Sequence, residues 1–266
     1  MIDRLRVFLA LSAIIALALG LLPLQMLALT FDWPMRRWLP GVWHRFACRA
    51  LGLRIRVIGA LDTRRPLMLA ATHASWKDIL ILGALADVAF IAKSEVREWP
   101  VFGHLARLQH SIFIARNDKR GTGTQVNEIA ARMADGEIVV LFPEGTTSDG
   151  NRVLPVKSSL FGAATAALPS APDGVVRVQP VTIAYTGVYG LPMGRYHRPL
   201  AGWPGEVALV PHLLGVLKAG ALDVEVSFGR PIDFREGDSR KALAATVEAD
   251  LRRMLNASLR GRHRRA

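Results

Sequence analysis

Residues 67–78, LMLAATHASWKD, join a short apolar run to a polar turn and the start of a helix. The run 67–71 contains no polar side chain, which is typical of a strand buried on both faces of a sheet. Apolar residues recur at helical spacing over 76–86, so a helix follows the strand within a few residues. A strand, a tight turn and a helix in this order indicate one unit of an α/β fold.

The same alternation of strands and helices continues along the chain. Further strands are predicted at 53–57, 88–92, 111–114, 137–142, 175–185 and 224–228. Further helices are predicted at 124–134, 158–168 and 239–255, and the aperiodic residues 186–206 are predicted to be a loop. No repeat and no linker interrupts the pattern, which predicts a single α/β domain with a mixed, largely parallel sheet flanked by helices.

Composition excludes several classes of protein. Of the 266 residues, 51% are hydrophobic and 21% are charged, which excludes intrinsic disorder. A single cysteine, Cys48, excludes an internal disulfide and a cysteine-rich zinc site. The sequence contains no glycine-rich dinucleotide loop, no P-loop and no metal-ligand cluster, so we expect no cofactor and no metal.

The net charge of +12 belongs to the two ends of the chain. Residues 1–60 carry a net +6 and residues 252–266 another +6, so the remainder is neutral overall. Nucleic acid and anionic lipid are both partners for such basic ends. The apolar N-terminus favours lipid and argues against nucleic acid.

Residues 7–29 contain no charged side chain and are long enough to cross a bilayer. Pro23 interrupts the run, which leaves a kinked span and a re-entrant hairpin as alternatives. Tryptophans and arginines alternate over 33–46, as at a bilayer interface. A secretory signal cleaved near Ala18 is the other interpretation, but the apolar run continues eleven residues beyond it.

We therefore predict an N-terminal membrane-anchoring helical segment at 1–50, a catalytic domain at 51–257 and a basic tail at 258–266. The expected location is the cell (inner) membrane, with the catalytic domain on its cytoplasmic face. Membrane lipid is the expected partner of the anchor.

His73 and Asp78 are the first candidate catalytic pair. His73 lies in the turn after the strand, and Asp78 lies one helical turn into the predicted helix. Ser75 and Asp78 have the spacing of a capping box, so the carboxylate is expected to face back toward the imidazole. An imidazole oriented by a carboxylate is a general base, here without an enzyme nucleophile. Taken alone, the pair is also compatible with a helix cap next to an ordinary loop histidine.

A second candidate segment is Phe142–Ser148, FPEGTTS, which directly follows a predicted buried strand. Glu144 is thereby presented at a strand end, where α/β folds bind their ligands. Gly145 permits the backbone angles of a tight turn. Taken alone, the segment is equally compatible with a surface turn.

His-x4-Asp followed about seventy residues later by Phe-Pro-Glu-Gly-Thr resembles the lysophosphatidate acyltransferase family, within the glycerolipid acyltransferase superfamily. Ser111–Arg116, SIFIAR, resembles the second motif of that family, and Gln179–Val181 resembles the fourth. The similarity covers roughly residues 52–232.

The resemblance implies transfer of a fatty acyl group from acyl-CoA or acyl-carrier protein to the free hydroxyl of a lysolipid. His73 would act as the general base, and Asp78 would orient it. The implied acceptor is 1-acylglycerol-3-phosphate, giving phosphatidic acid. The implied substrate-binding residues are Arg116 for the phosphate, Glu144, Gly145 and Thr146 for the shape of the acceptor site, and Lys93 and Lys157 as further basic contacts.

Three positions depart from the family pattern. Thr72 stands where the family often has Asn, Ala115 where it often has Asp, and Thr147 where it commonly has Arg. Because Thr147 removes a cation, a zwitterionic lysolipid such as lyso-ornithine lipid is the alternative acceptor. A thioester or ester hydrolase using the same pair, and a non-catalytic binder using only the basic ends, are the more remote alternatives.

Overall fold

The computed structural model describes residues 2–114, 122–205 and 207–261. The helices are α1 Ile2–Thr30, α2 Met35–Ala50, α3 Lys77–Leu85, α4 Phe102–Leu108, α5 Thr122–Ala134, α6 Gly162–Ala167, α7 Leu209–Ala219 and α8 Arg240–Leu259. The strands are β1 Leu53–Ile58, β2 Leu67–Ala71, β3 Val88–Lys93, β4 Ile112–Ile114, β5 Ile138–Leu141, β6 Val175–Val188, β7 Leu191–Pro192, β8 Leu222–Phe228 and β9 Ile232–Arg235. Short 3-10 helices flank several of these elements, at Ser94–Glu98, Ser158–Phe161, Leu168–Ser170 and Arg198–Leu200.

The strands form one mixed sheet in the order β1-β8-β6-β2-β5-β3-β4. Strands β6, β2, β5, β3 and β4 run parallel to one another. The parallel pair β1 and β8 joins them through an antiparallel contact between β8 and β6, and β7 and β9 also pair antiparallel with β6. The predicted α/β fold with a mixed, largely parallel sheet is confirmed.

Helices cover both faces of this sheet, which explains why β2 is apolar throughout. Leu67, Leu69 and Ala71 belong to the core beneath α2, α3 and α7. Met68 and Ala70 point the other way, into the core beneath α5, α6 and α8. Successive side chains of a strand face opposite sides, so a strand covered twice needs apolar residues at every position.

The parallel strands end together at one edge of the sheet. Leu69 of β2 pairs with Val140 of β5, and Ala71 pairs with Val181 of β6. The turn at 72–76 follows β2 and the segment 142–148 follows β5, so the two predicted motifs emerge side by side.

Helix α1 continues through Pro23 without interruption, and one of its faces packs against α2, α7 and α4. The Arg6 guanidinium donates to the carbonyls of Leu217 and Lys218 in α7. Near the other end of α1, the Gln25 amide donates to the carbonyl of Leu108 at 2.6 Å. The opposite face of α1 is apolar and exposed, with the side chains Leu5, Phe8, Leu9, Ile15, Leu19 and Met26. Helix α1 is long and apolar enough to cross a membrane.

Candidate active site

His73 and Asp78 are in direct contact. Nδ1 of His73 lies 3.0 Å from Oδ2 of Asp78, and the carboxylate is completely buried. The same oxygen accepts the backbone N–H groups of Ala74 at 2.7 Å and Ser75 at 2.8 Å. Three donors converge on one carboxylate oxygen, so its position relative to the imidazole is firmly set.

The second oxygen of Asp78 is held from another strand. The hydroxyl of Tyr185, in β6, donates to Oδ1 of Asp78 at 2.7 Å. Tyr185 is fully buried, and this burial, together with the neighbouring carboxylate, raises the pKa of the phenol well above its usual value. The phenol therefore remains a donor at all physiological pH values. Sequence reasoning missed Tyr185, because the pairing of Ala71 in β2 with Val181 in β6, which brings it to Asp78, is a tertiary contact that no local sequence pattern encodes.

The imidazole of His73 stacks on an aromatic side chain at the end of β5. Its ring centroid lies 4.0 Å from that of Phe142, which in turn stacks on Phe90 at 6.3 Å. With Nδ1 directed to Asp78, Nε2 is the ring nitrogen that can accept a proton. The His73 side chain is 19% exposed, whereas Asp78 is inaccessible. The pair is thus buried on the carboxylate side and open on the imidazole side.

Glu144 anchors the main chain of the histidine turn. Oε1 accepts the N–H of His73 at 3.0 Å and Oε2 accepts the N–H of Leu154 at 2.7 Å. Burial raises the pKa of Glu144 to about 7, against the lowering effect of these two hydrogen bonds. The N–H of Ser148 also donates to the carbonyl of His73 at 2.8 Å. The segment after β5 therefore forms hydrogen bonds with both the N–H and the carbonyl of His73.

The predicted capping box forms only in part. Asp78 accepts the N–H of Ser75, as the motif requires, but helix α3 begins at Lys77, after Trp76, without a side-chain cap. The Ser75 hydroxyl accepts from Nζ of Lys77 at 2.7 Å and, at the longer distance of 3.4 Å, from the backbone N–H of Lys77. The buried ammonium competes for this hydroxyl because it has few other acceptors.

Lys77 is a second buried charged group beside the pair. Its side chain is completely inaccessible, and Nζ donates to Ser75 and, at 2.7 Å, to the carbonyl of Ala201. Nζ also lies about 5 Å from the ring centres of Trp76 and Tyr185. Burial lowers the pKa of Lys77 to about 7, against the raising effect of Asp78.

The other predicted site residues that the structure describes are Gly145, Thr146, Lys93 and Lys157. Gly145 is buried and has a φ of 75°, a conformation that favours glycine, whereas Thr146 is exposed. Lys93 is exposed at the end of β3, and the exposed Lys157 donates its backbone N–H to the carbonyl of Pro143. Arg116 lies outside the described residues. Among the residues that the structure describes, no group of three His, Cys, Asp or Glu side chains is arranged to hold a metal.

Comparison with known proteins places this chain in a family. Residues 54–184 match the sequence profile of the Acyltransferase family. The chain is 58% identical, over its whole length and 91% of the relative, to a lyso-ornithine lipid O-acyltransferase of Rhizobium meliloti strain 1021. It is 52% identical to a protein of the same name from Brucella abortus strain 2308, over 98% of both chains.

Relatives of lower sequence identity are named for a different acceptor. The chain is 31% identical, over 70% of its length and 68% of the relative, to a 1-acyl-sn-glycerol-3-phosphate acyltransferase of Neisseria gonorrhoeae. The crystal structure of the LPA acyltransferase PlsC from Thermotoga maritima superposes with a TM-score of 0.62 and 24% identity over 96% of both chains, which is a likeness of fold. The profile match and the identity along the full length together show that this chain belongs to the acyltransferase family and is an enzyme that acylates a lysolipid.

Proposed function

We propose that this enzyme transfers a fatty acyl group from an acyl thioester to the hydroxyl of lyso-ornithine lipid, with His73 as general base and Asp78 as its orienting carboxylate. The observation that carries the mechanism is the 3.0 Å contact between Nδ1 of His73 and Oδ2 of Asp78, which leaves Nε2 toward the open side. The observation that favours this acceptor is the name of the two relatives that are more than 50% identical along the whole chain.

The reaction needs one proton transfer in each direction. Nε2 of His73 takes the proton of the acceptor hydroxyl as its oxygen attacks the thioester carbonyl carbon. The tetrahedral intermediate collapses, the C–S bond breaks, and the thiolate leaves with the proton from the imidazolium. Asp78 stabilises the imidazolium while it exists. The N–H groups of Ala74 and Ser75 bond to Asp78, so the donors for the oxyanion must come from elsewhere.

The acceptor site has several proposed contributors. Glu144 and Gly145 set the path of the chain beside His73, and Thr146 is exposed next to them. Arg116, Lys93 and Lys157 are proposed to provide the basic contacts to the acceptor or the donor. The donor is acyl-CoA or acyl-carrier protein.

1-Acylglycerol-3-phosphate is the second candidate acceptor, favoured by the name of the relatives that are about 31% identical. Thr147 argues against it, because a dianionic phosphate is best bound by guanidinium forks and this position supplies none. Hydrolysis of the thioester by water activated at His73 is the remaining alternative.

The N-terminal helices are proposed to hold the enzyme at the cell (inner) membrane, with the catalytic domain on the cytoplasmic face. Helix α1 contacts the domain from Arg6 to Gln25, about 28 Å at 1.5 Å per residue. A helix bound along the domain in this way presents its exposed apolar face sideways to lipid, which supports residues 1–50 as an interfacial anchor for the domain at 51–257. The basic tail at 258–266, of which only 258–261 are described, is proposed to attract anionic lipid.

The test is an acyl-transfer assay on membranes or detergent-solubilised enzyme, with lyso-ornithine lipid and 1-acylglycerol-3-phosphate offered separately, each with acyl-CoA and acyl-carrier protein. The expected result is acylated ornithine lipid from the wild type, with product formation at least a thousandfold lower in His73→Ala. If product forms only from 1-acylglycerol-3-phosphate, that lipid replaces lyso-ornithine lipid as the proposed acceptor. Free fatty acid released without acceptor would favour the hydrolase, and full activity of His73→Ala would refute the mechanism.

A further inference from the structure

We propose that a cavity next to the catalytic turn is the head-group subsite of the acceptor and that it is built for a zwitterion carrying one carboxylate and one ammonium. The inference rests on the proposed function and extends it to the recognition of the acceptor. The cavity has a volume of about 420 Å³. It is lined by Asp149, Asn151, Arg152, Arg195 and Arg198.

The cavity is attached to the catalytic turn by main-chain contacts. Ser148, the residue before Asp149, donates its N–H to the carbonyl of His73 at 2.8 Å. On the other side, the N–H of Trp203 donates to the carbonyl of Ala74 at 2.6 Å. The two segments that line the cavity are therefore both bonded to the turn that carries the general base.

One arginine forms the floor of the cavity, and its guanidinium is hydrogen-bonded within the protein. Arg198 is 6% exposed, and its guanidinium donates to the carbonyls of Tyr185 at 3.2 Å and Met193 at 2.8 Å and to the side-chain oxygen of Asn151. With these contacts made, Arg198 shapes the cavity and contributes positive charge, but it has little capacity left for a ligand.

The other two arginines differ in this respect. Arg152 and Arg195 are exposed, and neither forms a hydrogen bond or ion pair through its guanidinium with any residue that the structure describes. Both nevertheless lie close enough to Asp149 to lower the pKa of its carboxyl. Two guanidinium groups at the mouth of one cavity are suited to a carboxylate, which they can bind with paired N–H donors.

Asp149 supplies the opposite charge. Oδ1 accepts the N–H of Asn151 at 3.0 Å, and Oδ2 accepts its side-chain amide at 3.1 Å. A carboxylate oxygen can accept a second hydrogen bond, so both oxygens retain capacity for an ammonium group. The burial of Asp149 opposes its ionisation, but the Asn151 hydrogen bonds and the nearby arginines outweigh it, and the pKa lies below its usual value.

This set of charges matches the ornithine head group. In lyso-ornithine lipid the hydroxyl to be acylated lies on a fatty acyl chain that is amide-linked to ornithine, so a free carboxylate and a side-chain ammonium lie a few bonds away. With the hydroxyl at Nε2 of His73, Arg152 and Arg195 bind the carboxylate and Asp149 binds the ammonium. A phosphate monoester would also attract the two arginines, but Asp149 would repel its second negative charge.

The test compares acceptors that lack one charge with variants that lack its partner. kcat/KM is measured for the wild type, Asp149→Asn and the double variant Arg152→Gln/Arg195→Gln. The acceptors are lyso-ornithine lipid, its carboxyl methyl ester, its side-chain N-acetyl derivative and 1-acylglycerol-3-phosphate. Arg235→Gln is the control, because Arg235 is exposed and pairs with the first residue of β6, at the opposite edge of the sheet from His73.

We expect kcat/KM of the double variant to fall at least 30-fold below that of the wild type on lyso-ornithine lipid, but less than 3-fold on the methyl ester. We expect kcat/KM of Asp149→Asn to fall at least 10-fold on lyso-ornithine lipid and less than 3-fold on the N-acetyl derivative. On the phosphate acceptor we expect no fall in kcat/KM. The control stays within 2-fold of the wild type on every acceptor.

Equal losses on all acceptors, or no loss, would overturn the subsite while leaving the proposed function intact. A wild type that fails to acylate lyso-ornithine lipid at all would overturn the proposed acceptor and the subsite with it. Activity of the wild type on lyso-ornithine lipid therefore distinguishes failure of the subsite from failure of the proposed acceptor.

Discussion

The hydroxyl of Tyr185 donates a 2.7 Å hydrogen bond to Oδ1 of Asp78 across 107 residues of sequence. Both side chains are completely buried. Because β6 is the parallel neighbour of β2, it delivers the phenol to the start of the helix that follows β2. The orientation of the candidate general base thus depends on a strand that carries neither the His-x4-Asp motif nor the Phe-Pro-Glu-Gly-Thr motif.

Tyr185→Phe is expected to lower kcat about 10- to 100-fold with little change in the KM for the acceptor. A buried hydrogen bond to a charged group contributes about 1.5–3 kcal/mol, and 1.4 kcal/mol corresponds to a factor of ten in rate. Without the phenol, Asp78 carries more of its charge toward the imidazole, so the acid limb of the kcat/KM profile should move to higher pH. Steady-state kinetics between pH 5 and 9 measure both effects.

Tyr196→Phe is the matched control, because Tyr196 is 90% exposed and should change neither kcat nor the pH profile. A Tyr185→Phe enzyme that is less stable but has an unshifted pH profile would mean that Tyr185 only supports the core.

The buried Lys77 predicts an unusual dependence of stability on pH. Its pKa is about 7 in the folded enzyme and 10.5 for a lysine side chain in water, so between these two pH values the unfolded chain binds more protons. The free energy of unfolding contributed by this group therefore rises with pH over that window, by at most about 1.4 kcal/mol per pH unit. Lys77→Met removes this contribution, so the wild type should gain stability relative to the variant from pH 7 to pH 10.

Urea unfolding in detergent at pH 7, 8 and 9 measures this difference. Lys241→Met, at an exposed position of α8, should show a constant offset from the wild type over the same range. A constant offset for Lys77→Met as well would show that the ammonium keeps its charge when buried.

Much of the fold could be predicted from the sequence because the central strands are covered on both faces. Continuous apolar runs such as 67–71 and 138–141 are distinctive, and the structure places strands there. Helix α7 was not predicted, because Pro211 and Gly215 interrupt its pattern and it lies directly after an aperiodic segment. The region 158–168, predicted to be one helix, divides into a 3-10 helix and the short α6.

The spacing of residues along the sequence could identify the catalytic pair His73 and Asp78, but not the side chains that position it. The five-residue separation of His73 and Asp78 follows from a turn leading into a helix, and the contact is present. The bonds from Tyr185 to Asp78, and from Lys77 to the carbonyl of Ala201, depend on which strands and loops are neighbours in space. Strand order is set by the packing of the whole domain, and no short motif encodes it.

The close approach of α2 and α3 predicts that one glycine cannot be replaced. A methyl group on Gly83 would overlap the imidazole of His44, which is 3% exposed at this interface. Gly83→Ala should therefore lower the free energy of unfolding by about 1–3 kcal/mol despite the better helix propensity of alanine. Gly20→Ala in α1 is the control, because its methyl group would meet no atom within 4 Å. Thermal unfolding followed by circular dichroism measures both, and equal melting temperatures for the two variants would contradict the tight interface.

The exposed face of α1 predicts how strongly the enzyme binds membranes. Phe8 and Leu19 are 65% and 63% exposed and lie on the face turned away from the domain. Burying two such side chains in lipid contributes on the order of 3 kcal/mol or more, so Phe8→Ser/Leu19→Ser should bind liposomes at least 100-fold more weakly. Liposome flotation measures the binding, and Val57→Ser, at a 44% exposed position of β1, should bind as the wild type does. Because both side chains are mostly exposed, activity on detergent-dispersed acceptor should persist. Unchanged flotation would show that another surface carries the attachment.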